Sequence, residues 1–232
     1  MTMLARRLPL LLAVLSLAVA VPMALPPRAL ADAGAAQDAV AAAVGAPPAA
    51  GSDEAKADLA IVLWEQERRT AADLARAASE EELTLAAYAE VLGDADPARH
   101  PRTAALLELA RNDAWAAAGP IKQRYARPRP FVADPRVRPA VALETTASFP
   151  SGHATRGVLF ALLLGELRPD LREALLARGR LIGFDRVIGG VHFPSDVAAG
   201  QRLGRALFER LRPTAPYQAA LQAARAEWPP PG

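Results

Sequence analysis

Residues 150–167 read PSGHATRGVLFALLLGEL, an apolar run behind a short polar start. The run is rich in leucine and alanine and shows no apolar–polar alternation, so it predicts a helix from Gly152 to Leu167 rather than a strand. The polar start places Ser151, Gly152 and His153 at the N-terminus of this helix. Free N–H groups at a helix N-terminus bind anions, and glycine allows close approach of the backbone. Anion binding at the head of this helix is therefore the first expectation.

Helical patterns also fill the chain before this stretch. The predicted helices cover residues 53–78, 79–92 and 103–118. Ser52 fits the N-cap of the first helix, and Ser79 fits a capping box that opens the second. Gly119-Pro120 is typical of a helix end and is expected to close the third. A short helix is predicted to follow, up to about Ala126.

The chain after this stretch predicts three more helices. They cover residues 169–188, 195–211 and 215–227. Residues 127–150 instead contain five prolines and few periodic apolar side chains, which predicts a long ordered loop. Ordered loops of that length inside a compact domain are usually functional.

The composition favours an all-α domain. The sequence is 52% hydrophobic but only 5% aromatic. A core of alanine, leucine and valine suits close-packed helices better than sheets. We therefore predict an all-α, single-domain helical bundle over residues 52–228, followed by a Pro-rich tail at residues 229–232.

Residues 1–31 have the features of a secretory signal peptide. Two adjacent arginines form a positive start, residues 8–21 form an apolar run, and residues 29–31 read ALA, which is typical of a cleavage site. An uncleaved anchor or a buried helix is the alternative. We expect residues 32–51 to be a flexible lead-in and the mature protein to be in the periplasm. No later segment reaches about 18 consecutive apolar residues, which predicts no membrane span in the mature chain.

The charge balance disfavours a nucleic-acid binder. The full chain has 27 Lys and Arg against 25 Asp and Glu. Three of the basic residues are arginines of the leader, which has no acidic residue, so the mature chain is close to neutral. A nucleic-acid-binding domain keeps a large positive excess. The absence of cysteine excludes disulfides, thiolate metal sites and a cysteine nucleophile.

Two further segments hold polar residues that the helical pattern does not require. Residues 122–130 read KQRYARPRP, and residues 186–196 read RVIGGVHFPSD. Lys122 and Arg129 are about two helical turns apart, and Arg186 adds a third cation. The guanidinium fork of arginine matches phosphate oxygens, and lysine supplies a point charge. Together with the helix N-terminus described above, these residues predict a pocket for a tetrahedral oxyanion.

Two of the three histidines, His153 and His192, lie in these segments. A pair of imidazoles beside a phosphate pocket suggests one nucleophile and one general acid. Asp196 follows His192 by four residues, so it can accept a hydrogen bond from one ring nitrogen and leave the other free to attack phosphorus. The residue types therefore predict chemistry at a phosphoryl group.

The three segments, in this order, resemble the motifs K-x6-R-P, P-S-G-H and R-x5-H-x2-S-D of the type 2 phosphatidic acid phosphatase (PAP2) superfamily. That superfamily includes bacterial class A non-specific acid phosphatases, membrane lipid phosphatases and vanadium haloperoxidases. With its leader, its single domain and its lack of cysteine, the chain is most similar to the class A acid phosphatases. The resemblance implies an all-α fold of the acid phosphatase and haloperoxidase type, with no metal and no other cofactor.

The resemblance also implies a role for each matching residue. His192 would attack phosphorus and form a phosphohistidine, His153 would protonate the leaving alcohol, and Asp196 would orient His192. The phosphoryl oxygens would be held by Lys122, Arg129, Ser151, Gly152 and Arg186. The implied activity is hydrolysis of small phosphomonoesters, and transfer of the phosphoryl group to an alcohol would use the same intermediate.

One position departs from the acid phosphatase pattern. Asp185 stands where that pattern has serine, immediately before Arg186. A negative charge there would weaken oxyanion binding if it pointed into the pocket; otherwise it would pair with a surface arginine. We interpret it as tuning rather than loss of function, because every charged and proton-transferring position is present.

Three other functions stay open on sequence alone. The first is a lipid or polyprenyl phosphate phosphatase that acts at a membrane face. The second is a vanadium-dependent haloperoxidase, in which His192 would ligate vanadate. The third is a non-enzymatic phosphate-binding protein. A homo-oligomer is compatible with the alanine-rich helical surface, but no motif requires one.

The remaining conspicuous residues are given structural roles. Arg127 is expected to be solvated at the surface, and Asp113 to lie on an exposed helix face. Trp64 and Trp115 are expected in the core. Ser195 is expected to be a helix N-cap.

Overall fold

A computed structural model describes residues 40–229, and no strand occurs within that range. A helical segment at residues 40–44 precedes the main helices. These are α1 (Asp53–Arg68), α2 (Ala71–Ser79), α3 (Ala89–Leu92), α4 (Pro101–Tyr125), α5 (Pro130–Ala133), α6 (Gly152–Leu167), α7 (Arg172–Ile188), α8 (Pro194–Leu211) and α9 (Ala215–Arg225). The prediction of an all-α fold is confirmed. The predicted signal peptide and residues 32–39 of the predicted lead-in lie outside the described residues.

Helix α6 lies in the middle of the core and packs mainly against α7 and α8, with α4 on a further side. Its side chains are buried around almost the whole helix, including Phe160, Leu163 and Leu164. It begins at Gly152 as predicted, and the Ser151 hydroxyl accepts a hydrogen bond from the Ala154 amide at 3.3 Å. The polar start of this helix is therefore held inside the protein.

Glycines allow the three central helices to approach closely. A Cβ atom on Gly157 of α6 would lie 2.5 Å from the carbonyl oxygen of Gly179 in α7, so no side chain fits there. A Cβ atom on Gly200 of α8 would collide with the carbonyl oxygen of Ser151. The N-terminal part of α8 consequently lies against the head of α6, and this contact brings two of the three motifs together.

Two helix boundaries in the N-terminal half differ from the prediction. The helix that begins after Ser52 ends at Arg68, and Thr70 begins α2 through a capping box with Asp73. Ser79 is the last residue of α2 rather than the cap of the next helix. A hydroxyl near a helix end can cap an N-terminus or, as here, donate to a preceding carbonyl, so its position alone does not separate the two cases.

Helix α4 continues past its predicted end. Gly119-Pro120 was expected to close it, but the helix runs to Tyr125, with Pro120 in its interior. Ala117, Ala118 and Ile121 are buried on both sides of this proline. Tertiary packing therefore outweighs the missing amide of proline and carries Lys122 into the protein interior.

Three predictions about burial are wrong. Trp64 and Trp115 are 57% and 44% exposed rather than in the core. Asp113 is fully buried rather than exposed, and it accepts a hydrogen bond from the Tyr217 hydroxyl at 2.9 Å. Val40 is also buried in the core, although it precedes the predicted start of the domain at residue 52. Within residues 40–229, no helix is both long enough and apolar enough to span a membrane.

Candidate active site

The three motifs meet at the N-terminal ends of α6 and α8. Lys122 lies in the last turn of α4, Arg129 in the loop after it, and Arg186 in the last turn of α7. His192 lies in the loop between α7 and α8. The residues predicted from the motifs are all buried or half-buried: Lys122, Arg129, Ser151, Gly152, His153, Arg186, His192 and Asp196.

His192 has two different faces. Its Nδ1 lies 3.4 Å from an Asp196 carboxylate oxygen and 3.3 Å from the Ser148 hydroxyl. Its Nε2 lies 3.3 Å from a guanidinium nitrogen of Arg129. Because a guanidinium can only donate, Nε2 accepts and the ring proton resides on Nδ1. The Nε2 lone pair therefore lies beside a cation. A ring that is protonated on Nδ1 and unprotonated on Nε2 is the tautomer that a nucleophile needs.

Asp196 is held by more partners than His192. One of its oxygens accepts from the Ser148 hydroxyl at 2.6 Å and from the Phe193 amide at 2.9 Å. The other accepts from Arg127 at 2.6 Å. Burial acts to raise the pKa of Asp196, but the hydrogen bond and the charge of His192 and the charge of Arg127 keep it below its usual value. Asp196 is therefore an oriented carboxylate, as expected for a residue that positions an imidazole.

Arg127 was predicted to be solvated, and this prediction is wrong. Its side chain is only 10% exposed, and it bridges Asp196 to Asp58 of α1, which it contacts at 2.8 Å. Ser195 joins the same network, because its amide donates to Asp58 at 3.0 Å and Arg127 donates to its hydroxyl at 2.7 Å. Ser195 is consequently not the N-cap of α8, a position that Phe193 occupies. Nothing in the local pattern around Arg127 distinguishes it from the surface arginines.

His153 faces the same space from the head of α6. Its Nε2 lies 3.2 Å from the carbonyl oxygens of both Glu80 and Glu81, and carbonyls only accept, so Nε2 carries a proton. Its Nδ1 lies 3.6 Å from a carboxylate oxygen of Glu144. Nδ1 is therefore the atom through which the ring, once it is doubly protonated, can give a proton to a group bound in the pocket.

Arg186 is anchored from behind by a buried ionic cluster. It lies 3.5 Å from Glu80, which also pairs with Arg178 at 2.6 Å. Asp185 is fully buried in this cluster and pairs with Arg76 at 2.7 Å. The aspartate that replaces the usual serine therefore faces α2 and its arginine rather than the anion pocket. This result supports its interpretation as tuning.

Two of the three cations of the pocket are occupied by one segment of the long loop. Arg129 donates to the Glu144 carboxylate at 2.7 Å and to the Thr146 carbonyl at 2.8 Å, and Lys122 donates to the Ala147 carbonyl. The Ser151 amide is likewise used inside the protein, since it donates to the Asp196 carbonyl at 3.0 Å. A phosphate would have to replace the loop contacts, and the Ser151 amide would not be one of its donors in this arrangement.

Burial dominates the protonation of the site. It lowers the pKa of His192 to about 4, against the opposing hydrogen bond that His192 donates to Asp196, and the charge of Arg129 lowers it further. Burial, followed by the charges of Arg156 and Arg186, lowers the pKa of His153 to about 3. Burial and Arg129 lower the pKa of Lys122 to about 8. These three groups therefore lose their protons more readily than usual, and a bound phosphate would act in the opposite direction by favouring their protonated forms.

The chain resembles characterised phosphatases over part of its length. Residues 105–217 match the model of the PAP2 superfamily. A non-specific acid phosphatase of Salmonella typhimurium is 38% identical over 117 residues, which cover 49% of this chain and 47% of that protein. An acid phosphatase of Zymomonas mobilis is 34% identical over 136 residues, covering 57% of this chain and 52% of that protein. The chain therefore spans about half the length of these two relatives.

Two further similarities are to proteins named for lipid substrates. A lipid A 1-phosphatase of Rhizobium etli is 44% identical over 57 residues, which cover 25% of each chain. A solved structure of a transmembrane PAP2 type phosphatidylglycerolphosphate phosphatase from Bacillus subtilis aligns with a TM-score of 0.48 at 24% identity. That alignment covers 76% of this chain and 90% of the other.

Proposed function

This chain belongs to the PAP2 superfamily through residues 105–217, and we propose that it is an exported acid phosphatase that hydrolyses phosphomonoesters through a covalent phosphohistidine. One observation carries the proposal more than any other: the unprotonated Nε2 of His192 lies 3.3 Å from Arg129, while its Nδ1 faces Asp196. This arrangement presents a lone pair at the place where a cation would hold a phosphoryl oxygen.

The proposed reaction has two steps. In the first, His192 Nε2 forms a bond to phosphorus, the bond from phosphorus to the leaving oxygen breaks, and Nδ1–H of His153 protonates that oxygen. In the second, water attacks phosphorus, His153 accepts a proton from the water, and the bond to His192 breaks. Lys122, Arg129 and Arg186 would neutralise the charge on the phosphoryl oxygens in both steps. An alcohol in place of water would give phosphotransfer.

A lipid phosphate is the second candidate substrate. The similarity to a lipid A 1-phosphatase of Rhizobium etli favours it, although that match covers only 25% of each chain. Competition between micellar lipid phosphates and small soluble esters would separate the two substrate classes.

The proposed location in the periplasm rests on the leader features of residues 1–31.

The direct test is hydrolysis of para-nitrophenyl phosphate between about pH 4 and pH 9, the range that spans the titration of perturbed histidines. We expect turnover that peaks at mildly acidic pH, resists EDTA and is inhibited by vanadate, which mimics the transferred phosphoryl group. A flat pH profile would contradict the acid–base roles of the two histidines. Binding of phosphate or vanadate without turnover would favour a binding protein, and halide oxidation with vanadate and peroxide would favour a haloperoxidase.

The two buried imidazoles should titrate far below the usual range of histidine. With pKa values lowered to about 3 for His153 and about 4 for His192, both should be neutral at pH 5.5, where an unperturbed histidine is mostly protonated. Added inorganic phosphate should raise both pKa values, because its negative charge favours the protonated rings. NMR of ring-labelled histidine measures this, with assignment by single histidine replacements. A pKa near 6.5 for either residue without phosphate would contradict the prediction.

A further inference from the structure

Arg156 is a buried cation that the three motifs do not include. It lies one turn after Gly152 on α6 and is only 6% exposed. Its Nε has no hydrogen-bond partner, and its guanidinium instead lies 5.3 Å from the centre of the Trp115 ring. A buried charge is strongly unfavourable when nothing neutralises it. Burial lowers the pKa of Arg156 to about 10 against the charges of Glu144 and Glu108, so an anion bound beside Arg156 would be favoured.

The surroundings of Arg156 place that anion at the predicted phosphate pocket. Arg156, Gly152 and Lys122 line one small cavity of about 10 Å³ between α4 and α6. The nearest guanidinium nitrogen of Arg156 would be 3.6 Å from a Cβ atom on Gly152, so it lies over the first turn of α6. The charge of Arg156 also lowers the pKa of both Lys122 and His153, as expected for a cation close to both groups.

Glu144 is the anion that currently occupies this space. It contacts Arg129 at 2.7 Å and lies 3.6 Å from His153 Nδ1, so it bridges a cation and the proposed acid. Burial acts to raise the pKa of Glu144, but Arg129, His192, His153 and Lys122 together lower it to about 2. Its side chain is 32% exposed and belongs to an irregular loop, so it can leave without unfolding a helix.

We propose that Arg156 is a further phosphate-binding residue of this site and that Glu144 is a substitute anion, which phosphate displaces from the same cations. This inference rests on the proposed function, because it assumes that the pocket receives a phosphoryl group. Beyond the motif residues, Arg156 would strengthen phosphate binding and Glu144 would weaken it. Both act on the affinity for substrate and for the product, inorganic phosphate.

The test is calorimetric titration of inorganic phosphate into the full-length wild type, Arg156→Met and Glu144→Gln. Loss of a charge-assisted contact should weaken phosphate binding by Arg156→Met roughly 10- to 100-fold. Removal of the competing carboxylate should tighten binding by Glu144→Gln about tenfold or more. Arg156→Lys, which keeps the charge, should recover part of the affinity. Opposite signs in one assay cannot come from a general loss of structure.

Matched controls remove the same charges at exposed sites. Arg136 is 67% exposed and Glu67 is 72% exposed, so Arg136→Met and Glu67→Gln should leave the phosphate affinity unchanged. Unchanged affinity in Arg156→Met, or no tightening in Glu144→Gln, would overturn the inference while leaving the activity of the wild type as a separate result. If Arg156→Met does not fold, the phosphate affinities of Arg156→Lys and Glu144→Gln decide whether the inference holds. Wild type that binds phosphate but has no turnover would contradict the proposed function only.

Discussion

Replacing His192 with alanine should reduce phosphate release from para-nitrophenyl phosphate by about 10⁴-fold or more, as expected when a nucleophile is removed from a pre-organised site. The reason is geometric: within the described part of the chain, His192 Nε2 is the unprotonated imidazole nitrogen that lies beside Arg129, where a phosphoryl oxygen would take over the guanidinium contact. Binding of inorganic phosphate should persist, because the cations stay in place. Steady-state rates and a phosphate titration of the same variant measure both effects.

The covalent step can be separated from the proton transfers by comparing two variants. A labelled substrate should leave a phosphoenzyme on the quenched wild type, and none on His192→Ala. His153→Ala should still form it from para-nitrophenyl phosphate, whose leaving group departs without a proton, and should accumulate it because no base activates water. Label retained on His192→Ala, or a rate close to that of wild type, would refute the assignment of the nucleophile. The melting temperature of each variant shows whether it is folded.

Replacing Arg127 with methionine should destabilise the protein by about 3–5 kcal/mol, the range for breaking a buried ion pair. Arg127 neutralises two carboxylates at once, Asp58 with a 7% exposed side chain and Asp196 with a fully buried one. The loss would leave both carboxylates in the interior without the cation that neutralises them, although Ser148 and the Ser195 amide would still donate hydrogen bonds to them. It should also lower kcat more than it changes KM, because Asp196 would no longer hold His192 in place. Chemical unfolding and steady-state kinetics measure the two effects.

The pairing itself can be tested with a second replacement. Asp58→Asn in the Arg127→Met background removes one of the stranded charges, so the double variant should recover part of the stability lost by the single variant. Arg136→Met removes an arginine that is 67% exposed and should leave the unfolding transition unchanged. Additive destabilisation in the double variant, or unaltered stability in Arg127→Met, would show that Arg127 does not stabilise the protein by neutralising Asp58 and Asp196.

The residues of the candidate site could be selected from short segments because each motif is local. Residues such as Ser151, Gly152 and His153 lie together in sequence and at one helix N-terminus, so their proximity does not depend on the rest of the fold. The helix from Gly152 to Leu167 is likewise where its pattern places it. Long apolar runs determine their own helices, because burial and propensity favour the same structure.

Other predictions were wrong because the packing of distant residues outweighed the local signal on which they rested. Pro120 is a helix breaker by local rules, yet α4 continues through it because both flanks are buried. Trp115 is apolar but 44% exposed, and it covers Arg156 rather than joining the core. Propensity describes one residue at a time, whereas these outcomes depend on what lies across the interface.

By itself, the sequence determined the all-α class, the central helix and the set of histidines, cations and carboxylate that meet at its head. Only the tertiary structure decided which charges are buried together: Arg127 meets Asp58 across 69 residues, Ser148 meets Asp196 across 48, and Glu144 enters the anion pocket. The physical reason is that a buried charge is stable only beside a partner. The partner of an arginine is set by how distant helices pack, and that information is absent from its local pattern.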